Sequence, residues 1–513
     1  MGAADPRQRL TLVLHLPPRN QSELTQLLHD LYDPHSPKFH KFLSVSQFTE
    51  RFGPTSADYK RVTAWAKSKD LTVITMPANR RLVAIEASVD KINRAFQVKI
   101  TNYRHPSEAR NFYSADREPQ PVGLSVPLLQ VTGMNNFVLP HPMLRRNTAI
   151  KTAGSGSGAS GEYLPSDIRA AYYGNGPLTG AGQTIGILSF DGYLASDVQL
   201  YYSKTGMASK VPIKNVLVGG FSGACTAADG SGSSTCDDGE QVLDIVNAIG
   251  MAPGITQILF YEGSKDTLIL NQMATDNIAK VLSSSWGWNP GDATSDDPIF
   301  QEFAAQGQTF VSASGDGGAY NSSTYDFPGV DPYVTEVGGT DLTTTGPGGA
   351  WSAETAWPQS GGGFVSGTPI PSWQQLMGVI NSANMGSTSL RNSPDVAAEA
   401  NFDNPTVVNG QFQTGYGGTS FAAPRWAGFI ALVNQQAVAN GKGTVGFINP
   451  ALYNLWVAAH SSSVFHDITS GSNPPTAGGG NGFSAVAGYD LVTGWGSPAG
   501  TALIDQLAGT GTK

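Results

Sequence analysis

Charged side chains are scarce in this sequence. Only 14% of its 513 residues are charged, against about a quarter in an average soluble protein, and the net charge is -9. Such a composition argues against nucleic-acid binding. No uninterrupted apolar run reaches about 18 residues, which argues against a membrane-spanning helix. The stretch from Met1 to Pro17 also lacks the apolar core of a signal peptide, so we expect a trimmed leader or another route of export.

Glycine is nearly missing from the first 150 residues, which hold four of the 61 glycines. Charge divides at the same place. Residues 1–150 carry 20 basic and 12 acidic side chains, a net +8, and the remaining 363 residues carry 11 and 28, a net -17. A chain of this length can bury at least two cores. The sequence therefore predicts two differently built domains of opposite charge.

Cysteine occurs only twice, on either side of a loop rich in glycine and serine. We interpret Cys225 and Cys236 as one disulfide, and two free thiols are the alternative. A disulfide that closes so short a loop would contribute roughly 2–3 kcal/mol by the chain-entropy argument. It would also indicate an oxidising compartment, as expected for a secreted protein.

Hydrophobic periodicity predicts a small α+β domain over the first 140 residues and a different architecture after residue 161. The Gly/Ser-rich stretch from Lys151 to Gly161 is typical of a flexible linker that a protease could cut. Beyond it, near-continuous apolar strands alternate with helical stretches, which predicts a parallel sheet covered on both faces, with binding sites at the carboxyl ends of the strands. The predicted strands are Thr184–Leu188, Val216–Val218, Gln257–Tyr261, Lys280–Ser284 and Thr309–Ala313.

A serine stands where a glycine-rich turn leads into an apolar helix. Ser420 would lie at the amino terminus of that helix, where backbone N–H groups and the positive end of the dipole suit an activated serine and its oxyanion. The alternative is that Thr419 or Ser420 is only an N-cap. Residues Gly418 to Pro424 match the G-T-S-x-x-x-P serine motif of the subtilisin-like fold.

Histidine, the usual base for a serine nucleophile, is absent between residues 142 and 459. This absence argues against an ordinary subtilase, so another group must act as the base. Glu240 and Asp244 are four residues apart, on the side of a predicted helix opposite its apolar stripe. They form either a solvated acidic face or, in a cleft, a carboxyl pair that shares a proton and serves as general base at acidic pH.

A third carboxyl, Asp316, follows a predicted buried strand in a glycine-rich turn. Strand ends of this kind collect functional residues, although an Asp in a turn can also make only a local hydrogen bond.

These three pieces occur in the order E-x-x-x-D, S-G-D-x-G and G-T-S-x-x-x-P, which resembles the sedolisins, the serine-carboxyl peptidases, and in particular their kumamolisin-like members. Asp33–Leu43 is similar to the activation prodomain of that family, and Leu164–Tyr172 to the start of its mature enzyme. The resemblance implies an α/β fold with a subtilisin-like, doubly wound, mostly parallel sheet, preceded by a small α+β (ferredoxin-like) prodomain. The implied divisions are a prodomain over 1–145, a linker with the processing site over 146–163, and a peptidase domain over 164–513.

The resemblance also implies catalytic roles. Ser420 would be the nucleophile and Glu240 its general base, with Asp244 holding Glu240 and sharing its proton. Asp316 would be a protonated acid that donates to the oxyanion. Since that donor works only while protonated, we expect an acid optimum.

The resemblance implies one structural Ca²⁺ in a loop over about 464–497, held by oxygen atoms alone. The implied ligands are the carboxylates of Asp467 and Asp490 and the carbonyls of Ile468, Val486 and Gly488.

The resemblance also implies a substrate-binding cleft. The implied substrate-binding residues are Asp326, Trp286, Ser284 and Gly287. Asp326 would favour a basic substrate side chain, and a surface salt bridge is the alternative. The chain also departs from the family, because Ser189 stands where kumamolisin-like members carry a glutamate of the carboxyl network, and Asp191 is a candidate replacement.

Together these features predict a secreted, acid-active endopeptidase made as a self-processing zymogen. We expect protein and peptide substrates, its own prodomain as an intramolecular inhibitor that acid releases, a monomer, and no nucleic-acid or membrane partner. Three alternatives remain: an inactive calcium-binding adhesion or binding module, a subtilase that uses His460 or His466, and a glycosidase that uses Glu240 and Asp244.

Overall fold

The computed structural model describes residues 2–147, 154–225, 236–289, 291–320, 325–459, 463–476 and 481–509. Part of the predicted linker, residues 148–153, and the candidate base His460 lie outside them. None of the described helices has the length and apolar character needed to cross a bilayer.

The amino-terminal domain is an antiparallel four-stranded sheet with the chain order βαββαβ. Its strands lie side by side in the order second, third, first, fourth, which is the ferredoxin-like arrangement and confirms the predicted fold class. The strands are Arg9–His15, Thr72–Thr75, Leu82–Ser88 and Gln130–Thr132, and the two crossover helices are Ser56–Ser68 and Val89–Phe96. The domain also contains helices Gln21–Tyr32 and Val45–Phe52 and a small sheet of Gly2–Ala3, Ile100–Arg104 and Asn111–Ala115.

Both faces of the four-stranded sheet are buried. Leu12 and Ile85, which are register partners, face the crossover helices. Val13 and Ala84, the next partners along the ladder, point the opposite way and pack in a core shared with the carboxy-terminal domain. Because successive strand residues alternate between faces, the apolar run in this sheet supplies both the domain's own core and its docking surface.

The carboxy-terminal domain is built on an eight-stranded, mostly parallel sheet. Seven strands follow one another in the order Ile213–Leu217, Gln257–Glu262, Thr184–Ser189, Val281–Ser284, Thr309–Ala313, Thr335–Thr344 and Trp351–Ala356. Only the last pair is antiparallel, and Val396–Glu399 adds in parallel to Thr335–Thr344. The five strands predicted from the sequence are all present, within a few residues.

Helices cover both faces of the sheet. Ile258 and Phe260 point into one core and Leu259 and Tyr261 into the other, so the strand is apolar throughout. The first core is covered by helices Gly239–Met251 and Thr419–Ala439, and the second by Asp266–Asp276 and Ala293–Ala305. The remaining helices are Pro165–Tyr172, Ala195–Thr205, Ser372–Gln375 (a 3₁₀ turn), Asn449–Ala459 and Gly500–Leu507.

Two of these helices carry the candidate catalytic residues. We call Gly239–Met251 the acidic helix and Thr419–Ala439 the serine helix. They approach closely at Gly428, where a Cβ would lie 2.6 Å from Cβ of Met251. Every residue of the acidic helix is buried, so its carboxyls are not on a solvated face.

Short pairings complete the domain and bring distant segments together. Cys225 and Cys236 form the expected disulfide. The antiparallel pairs are Gly363–Pro369 with Leu390–Ser393, Asn404–Val408 with Gln411–Gly417, Phe465–His466 with Ser497–Pro498, His141–Pro142 with Trp286–Gly287, and Arg145–Arg146 with Gln411–Gly417.

Candidate active site

Ser420 is the second residue of the serine helix and is fully buried. The turn before it requires glycine, because Gly418 has φ 144° and a Cβ there would lie 2.3 Å from the carbonyl oxygen of Met143. Because Gly418 has no side chain, Met143 and Leu144 can lie against the start of the serine helix. The Ser420 N–H donates to the Met143 carbonyl at 3.3 Å.

The acidic helix supplies the partner of the serine hydroxyl. Ser420 Oγ donates a hydrogen bond to Glu240 Oε2 at 2.9 Å, and the Ser285 carbonyl lies 3.3 Å from the same hydroxyl. The other oxygen, Glu240 Oε1, is buried and has no hydrogen-bond partner in the described part of the chain. Burial and then the nearby charge of Asp244 raise the pKa of Glu240 well above its usual range.

Asp244 lies one helical turn beyond Glu240 and is equally buried. Its Oδ1 accepts a hydrogen bond from Ser285 Oγ at 2.6 Å. Burial raises the pKa of Asp244 well above its usual range. Two like-charged carboxyls in one buried site cannot both ionise cheaply, so the pair is expected to hold a proton in common.

Asp316 approaches the start of the serine helix from the other side, just after strand Thr309–Ala313. Its Oδ1 accepts from the Thr419 N–H at 2.9 Å and from Thr419 Oγ1 at 3.1 Å. Oδ2 has no hydrogen-bond partner among the residues described, and it would lie 2.9 Å from a Cβ on Gly418. Burial raises the pKa of Asp316 to about 7, so at acidic pH this oxygen carries a proton.

The structure thus brings together all four carboxyl and hydroxyl groups that the sequence predicts. It adds two hydroxyl side chains that contact these groups, Ser285 and Thr419. Ser285 contacts both Asp244 and the Ser420 backbone carbonyl, at 2.6 and 3.2 Å. Ser285 lies within the S-S-S-W-G run from Ser283 to Gly287, directly after the predicted strand Lys280–Ser284, and that strand end was the available signal.

Three of the predicted substrate-binding residues, Trp286, Gly287 and Asp326, lie beside residues 141–142. Trp286 and Gly287 pair through their backbones with Pro142 and His141. Asp326 Oδ1 lies 3.4 Å from His141 Nε2, and this contact raises the pKa of His141. Ser284 Oγ braces the turn between these strands by accepting from the Trp286 N–H at 3.3 Å.

The position that departs from the family forms a local turn. Ser189 Oγ donates to the Asp191 carbonyl at 2.7 Å, and Asp191 Oδ1 accepts from the Gly192 N–H at 2.8 Å. Glu262 is the register partner of Ser189 on the adjacent strand, and burial raises its pKa to about 7. A carboxyl is therefore present at this end of the sheet, one strand away from the position expected from the family.

The two predicted calcium carboxylates lie on either side of residues 486–488. Asp467 Oδ2 accepts from the Gly488 N–H at 3.0 Å, and Asp490 Oδ2 accepts from the Val486 N–H at 3.1 Å. Burial raises the pKa of Asp467, and it raises that of Asp490 to about 7. Within the described ranges, no Lys or Arg lies within ion-pair distance of either carboxylate. Asp490 is buried and Asp467 is half-buried, and both accept hydrogen bonds from backbone N–H groups. Carboxylate oxygens without a basic partner are of the type that a hard cation such as Ca²⁺ binds.

One further group of three carboxyls lies within 4.8 Å of one another in the described residues, namely Asp341, Glu399 and Asp403. Both Glu399 oxygens already accept backbone N–H groups, from Leu342 and Asn401.

The histidine alternative has little support from the described geometry. His466 stacks on the ring of Trp351 at a centroid distance of 4.0 Å, and burial lowers its pKa to about 4. The Ser420 hydroxyl instead donates to Glu240.

Comparison with known proteins agrees with this geometry. Residues 1–137 match the family model "Pro-kumamolisin, activation domain", and residues 220–459 match "Subtilase family". The chain is 32% identical to "Sedolisin" of Pseudomonas sp. (strain 101), with 95% of this chain and 85% of that protein covered. It is also 32% identical to "Kumamolisin" of Bacillus sp. (strain MN-32), with 91% and 86% covered. Among solved structures, Pseudomonas sedolisin complexed with two molecules of pseudo-iodotyrostatin superposes with a TM-score of 0.58 at 31% identity, covering 70% of this chain and 100% of that one.

Proposed function

Because this chain belongs to the sedolisin family of serine-carboxyl peptidases, we propose that it is a secreted, acid-active endopeptidase made as a self-processing zymogen. The observation that carries the proposal is the 2.9 Å hydrogen bond from Ser420 Oγ to Glu240 Oε2. A buried serine hydroxyl bonded to a buried carboxylate has the contact that a nucleophile needs with its base.

In the proposed reaction, Ser420 Oγ attacks the substrate carbonyl while Glu240 accepts the hydroxyl proton. Glu240 then returns that proton to the leaving amine, and a water molecule releases the acyl group from Ser420 by the same route in reverse. Asp244 keeps a proton in the pair, and Ser285 holds Asp244 in place through its 2.6 Å hydrogen bond.

The oxyanion is stabilised from two directions. The Ser420 N–H is one donor, and the protonated Oδ2 of Asp316 is the other. Thr419 orients Asp316 because its N–H and hydroxyl both bond to Oδ1, which leaves the proton on Oδ2. Since the pKa of Asp316 is raised to about 7, this second donor is present below neutral pH and is lost above it.

The zymogen arrangement follows the proposed divisions 1–145, 146–163 and 164–513. The first domain docks on helix Ala293–Ala305, where Arg81 Nε lies 3.8 Å from Glu302 Oε2 and Asn79 Nδ2 donates to Glu302 Oε2 at 3.1 Å. Burial raises the pKa of Glu302 to about 7, so this carboxyl takes up a proton on docking, and its titration alone strengthens the docking in acid. The proposed release in acid rests instead on the opposite net charges of the two domains, +8 and -17, whose attraction weakens as other carboxyls become protonated.

One structural Ca²⁺ is part of the proposal. Asp467 and Asp490 would hold it, together with carbonyl oxygens of Ile468, Val486 and Gly488. The ion would neutralise the buried Asp490 and the half-buried Asp467 in the 464–497 loop and would take no part in the reaction. The proposed enzyme is a monomer that acts on proteins and peptides, without nucleic-acid or membrane partners.

The test is to bring the full chain and its Ser420→Ala variant separately to about pH 4 and to follow the products by intact mass. Wild type should lose its amino-terminal domain and then digest denatured protein, whereas the variant should stay whole. Ser283→Ala is a matched control, because Ser283 Oγ is buried without a hydrogen-bond partner in the described ranges. Processing of Ser420→Ala without added protease would contradict the proposal, and an inert wild type would favour a binding module on the same fold.

A further inference from the structure

Residues 141–147, which we call the crossing segment, run extended through the cleft between two edge strands. His141–Pro142 pairs antiparallel with Trp286–Gly287 on one side. Arg145–Arg146 pairs antiparallel with the end of Gln411–Gly417 on the other side, and the Asn147 N–H donates to the Gly415 carbonyl at 2.8 Å. Addition of an extended chain to strand edges is a common way for a protein groove to bind a peptide.

Met143 and Leu144 lie between these two pairings, and Met143 contacts the catalytic groups through its backbone. The Met143 N–H donates to the Ser285 carbonyl at 3.0 Å, and that same carbonyl lies 3.3 Å from Ser420 Oγ. The Met143 carbonyl accepts from the Ser420 N–H at 3.3 Å. That carbonyl and Asp316 Oδ2 both lie within 3 Å of the point where a Cβ on Gly418 would stand. The carbonyl of Met143 therefore occupies the position in which an oxyanion would be stabilised.

The Met143 side chain enters a pocket whose wall includes Gly287, a position where only glycine fits. Met143 is buried, and a Cβ on Gly287 would lie 2.2 Å from Met143 Cε and 2.9 Å from Cβ of Asp326. The pocket is therefore deep enough for a long unbranched side chain. Asp326 also faces His141, two residues earlier, at 3.4 Å, so its carboxylate suits a cation at that position.

The side chains of Leu144 and Arg146, which follow Met143, also contact the carboxy-terminal domain. Leu144 packs against a small apolar cluster formed by Leu243, Tyr416 and Phe421. Arg146 lies with its guanidinium 5.2 Å from the centre of the Tyr416 ring, a cation–π contact. The cleft thus accommodates an apolar residue directly after the peptide bond between Met143 and Leu144, and a basic residue two positions beyond Leu144.

We propose that the Met143–Leu144 peptide bond is the first bond that the zymogen cuts, and that residues 141–146 represent the kind of peptide the mature cleft prefers. This inference rests on the proposed function. It places the first cut before the range 146–163 in which the sequence predicts the processing site. The preferred substrate has a long unbranched apolar residue before the bond, a cation two residues earlier, and an apolar residue after the bond.

The step balances with water as the only co-reactant. Ser420 Oγ forms a bond to the Met143 carbonyl carbon, and its proton passes to Glu240. The bond from that carbon to the Leu144 nitrogen breaks, and Glu240 returns the proton to this nitrogen, which becomes the new amino terminus. Water then hydrolyses the ester between Met143 and Ser420, leaving a carboxyl group on Met143.

The first experiment follows the full-length zymogen at about pH 4 by intact mass at short times, with Ser420→Ala as the reference. The expected first products are residues 1–143 and 144–513. A first cut at any other bond, including one within 146–163, would overturn the inference while leaving the proposed function in place. Failure of wild type to cut itself, or equal cutting of Ser420→Ala, would refute the proposed function instead.

The second experiment does not depend on how zymogen variants fold. Mature enzyme is given a peptide of residues 138–149, V-L-P-H-P-M-L-R-R-N-T-A, and the same peptide with Met143→Asp. We expect cutting between Met and Leu, and a kcat/KM at least about tenfold lower for the Asp peptide, because a carboxylate would enter an apolar pocket beside Asp326. Cutting at another bond, or equal rates for both peptides, would overturn the inference.

The third experiment tests the contact between Asp326 and His141. A peptide with His141→Ala should lose several-fold in kcat/KM with wild-type enzyme and should lose much less with Asp326→Asn. The loss should appear mainly in KM, because the contact lies two residues from the reacting bond. Equal losses in both enzymes would overturn the assignment of Asp326 to this position. In the zymogen, Met143→Asp should slow the first cut, whereas Lys151→Asp, in the predicted linker, should not.

Discussion

Asp316 offers the sharpest test of the site, because its two oxygens have different partners. Oδ1 accepts two hydrogen bonds from Thr419, and Oδ2 is left facing the position of the oxyanion. In Asp316→Asn, the amide oxygen can keep both bonds from Thr419 while the NH₂ group takes the place of Oδ2. This variant therefore keeps a donor that cannot lose its proton, whereas Asp316→Ala has no donor there.

The size of the effect follows from the pKa of about 7 that burial gives to Asp316. About 99% of this carboxyl is protonated at pH 5 and about a tenth at pH 8, so wild-type activity should fall about tenfold over that range from this group alone. Asp316→Ala should lose about 10²- to 10³-fold in kcat at pH 5, which is typical for removal of one oxyanion donor. Asp316→Asn should lose much less at pH 5 and should stay nearly constant between pH 6 and 8.

The assay needs mature enzyme that does not depend on self-processing. A recognition site for a specific protease, placed in residues 148–153, would release the amino-terminal domain from wild type and both variants in the same way. Initial rates on a labelled denatured protein would then be measured from pH 3 to 8. Thermal unfolding of each variant at pH 5 would separate loss of activity from loss of fold.

Two results would refute the reasoning. If Asp316→Asn lost activity between pH 6 and 8 as wild type does, the alkaline limb would belong to the coupled pair of Glu240 and Asp244. If Asp316→Ala kept most of its kcat at pH 5, then Asp316 would not donate to the oxyanion.

Three further predictions follow from the contacts. Ser285→Ala should lower kcat about tenfold by removing the 2.6 Å bond to Asp244, while Ser283→Ala should stay within about twofold, and an equal loss in both would contradict the positioning role. Calcium at about 100 times its Kd should stabilise the fold by about 2.7 kcal/mol and raise Tm by several degrees. At a fixed calcium concentration the rise in Tm should be larger at pH 7 than at pH 4, because the carboxylates must ionise to bind the ion. Asp490→Asn should abolish most of the rise. Isolated residues 1–150, with a net charge of +8, should inhibit the mature enzyme more weakly at pH 4 than at pH 7, because acid protonates carboxyls of the domain that carries -17. Inhibition at pH 4 as strong as at pH 7 would contradict this electrostatic argument.

Much of the architecture was predictable because it depends on local pattern. Apolar runs such as Gln257–Tyr261 predict buried strands, and the observed strand, Gln257–Glu262, is apolar on both faces of the sheet. The turn from Gly418 into the serine helix was also predictable, since a glycine-rich turn before an apolar run is a local signal. The observed serine helix is 21 residues long, Thr419–Ala439.

The surroundings of the acidic helix could not be predicted in the same way. Periodicity places Glu240 and Asp244 on one side, but it cannot say whether water or another helix covers that side. The answer depends on the serine helix, almost 180 residues later, which approaches closely because Gly428 has no side chain. Burial of both carboxyls, and hence their raised pKa values, follows from that contact between distant segments.

The crossing segment shows the same limit. Nothing in residues 141–147 by themselves indicates that they fit a cleft, because their partners are Ser285, Gly287 and residues 415–420. The role of Ser285 likewise depends on two contacts between distant segments, which join the acidic helix to the serine helix.

By itself, the sequence determined the division into two domains, the order of strands and helices, and the chemical groups available to the site, because composition and periodicity act over short stretches of chain. Only the tertiary structure decided which carboxyls are buried together, which oxygen of Asp316 remains free to hold a proton, and which peptide bond lies against Ser420. These outcomes depend on contacts between residues more than a hundred positions apart, and the low dielectric of the packed interior converts those contacts into the shifted proton affinities on which the proposed chemistry depends.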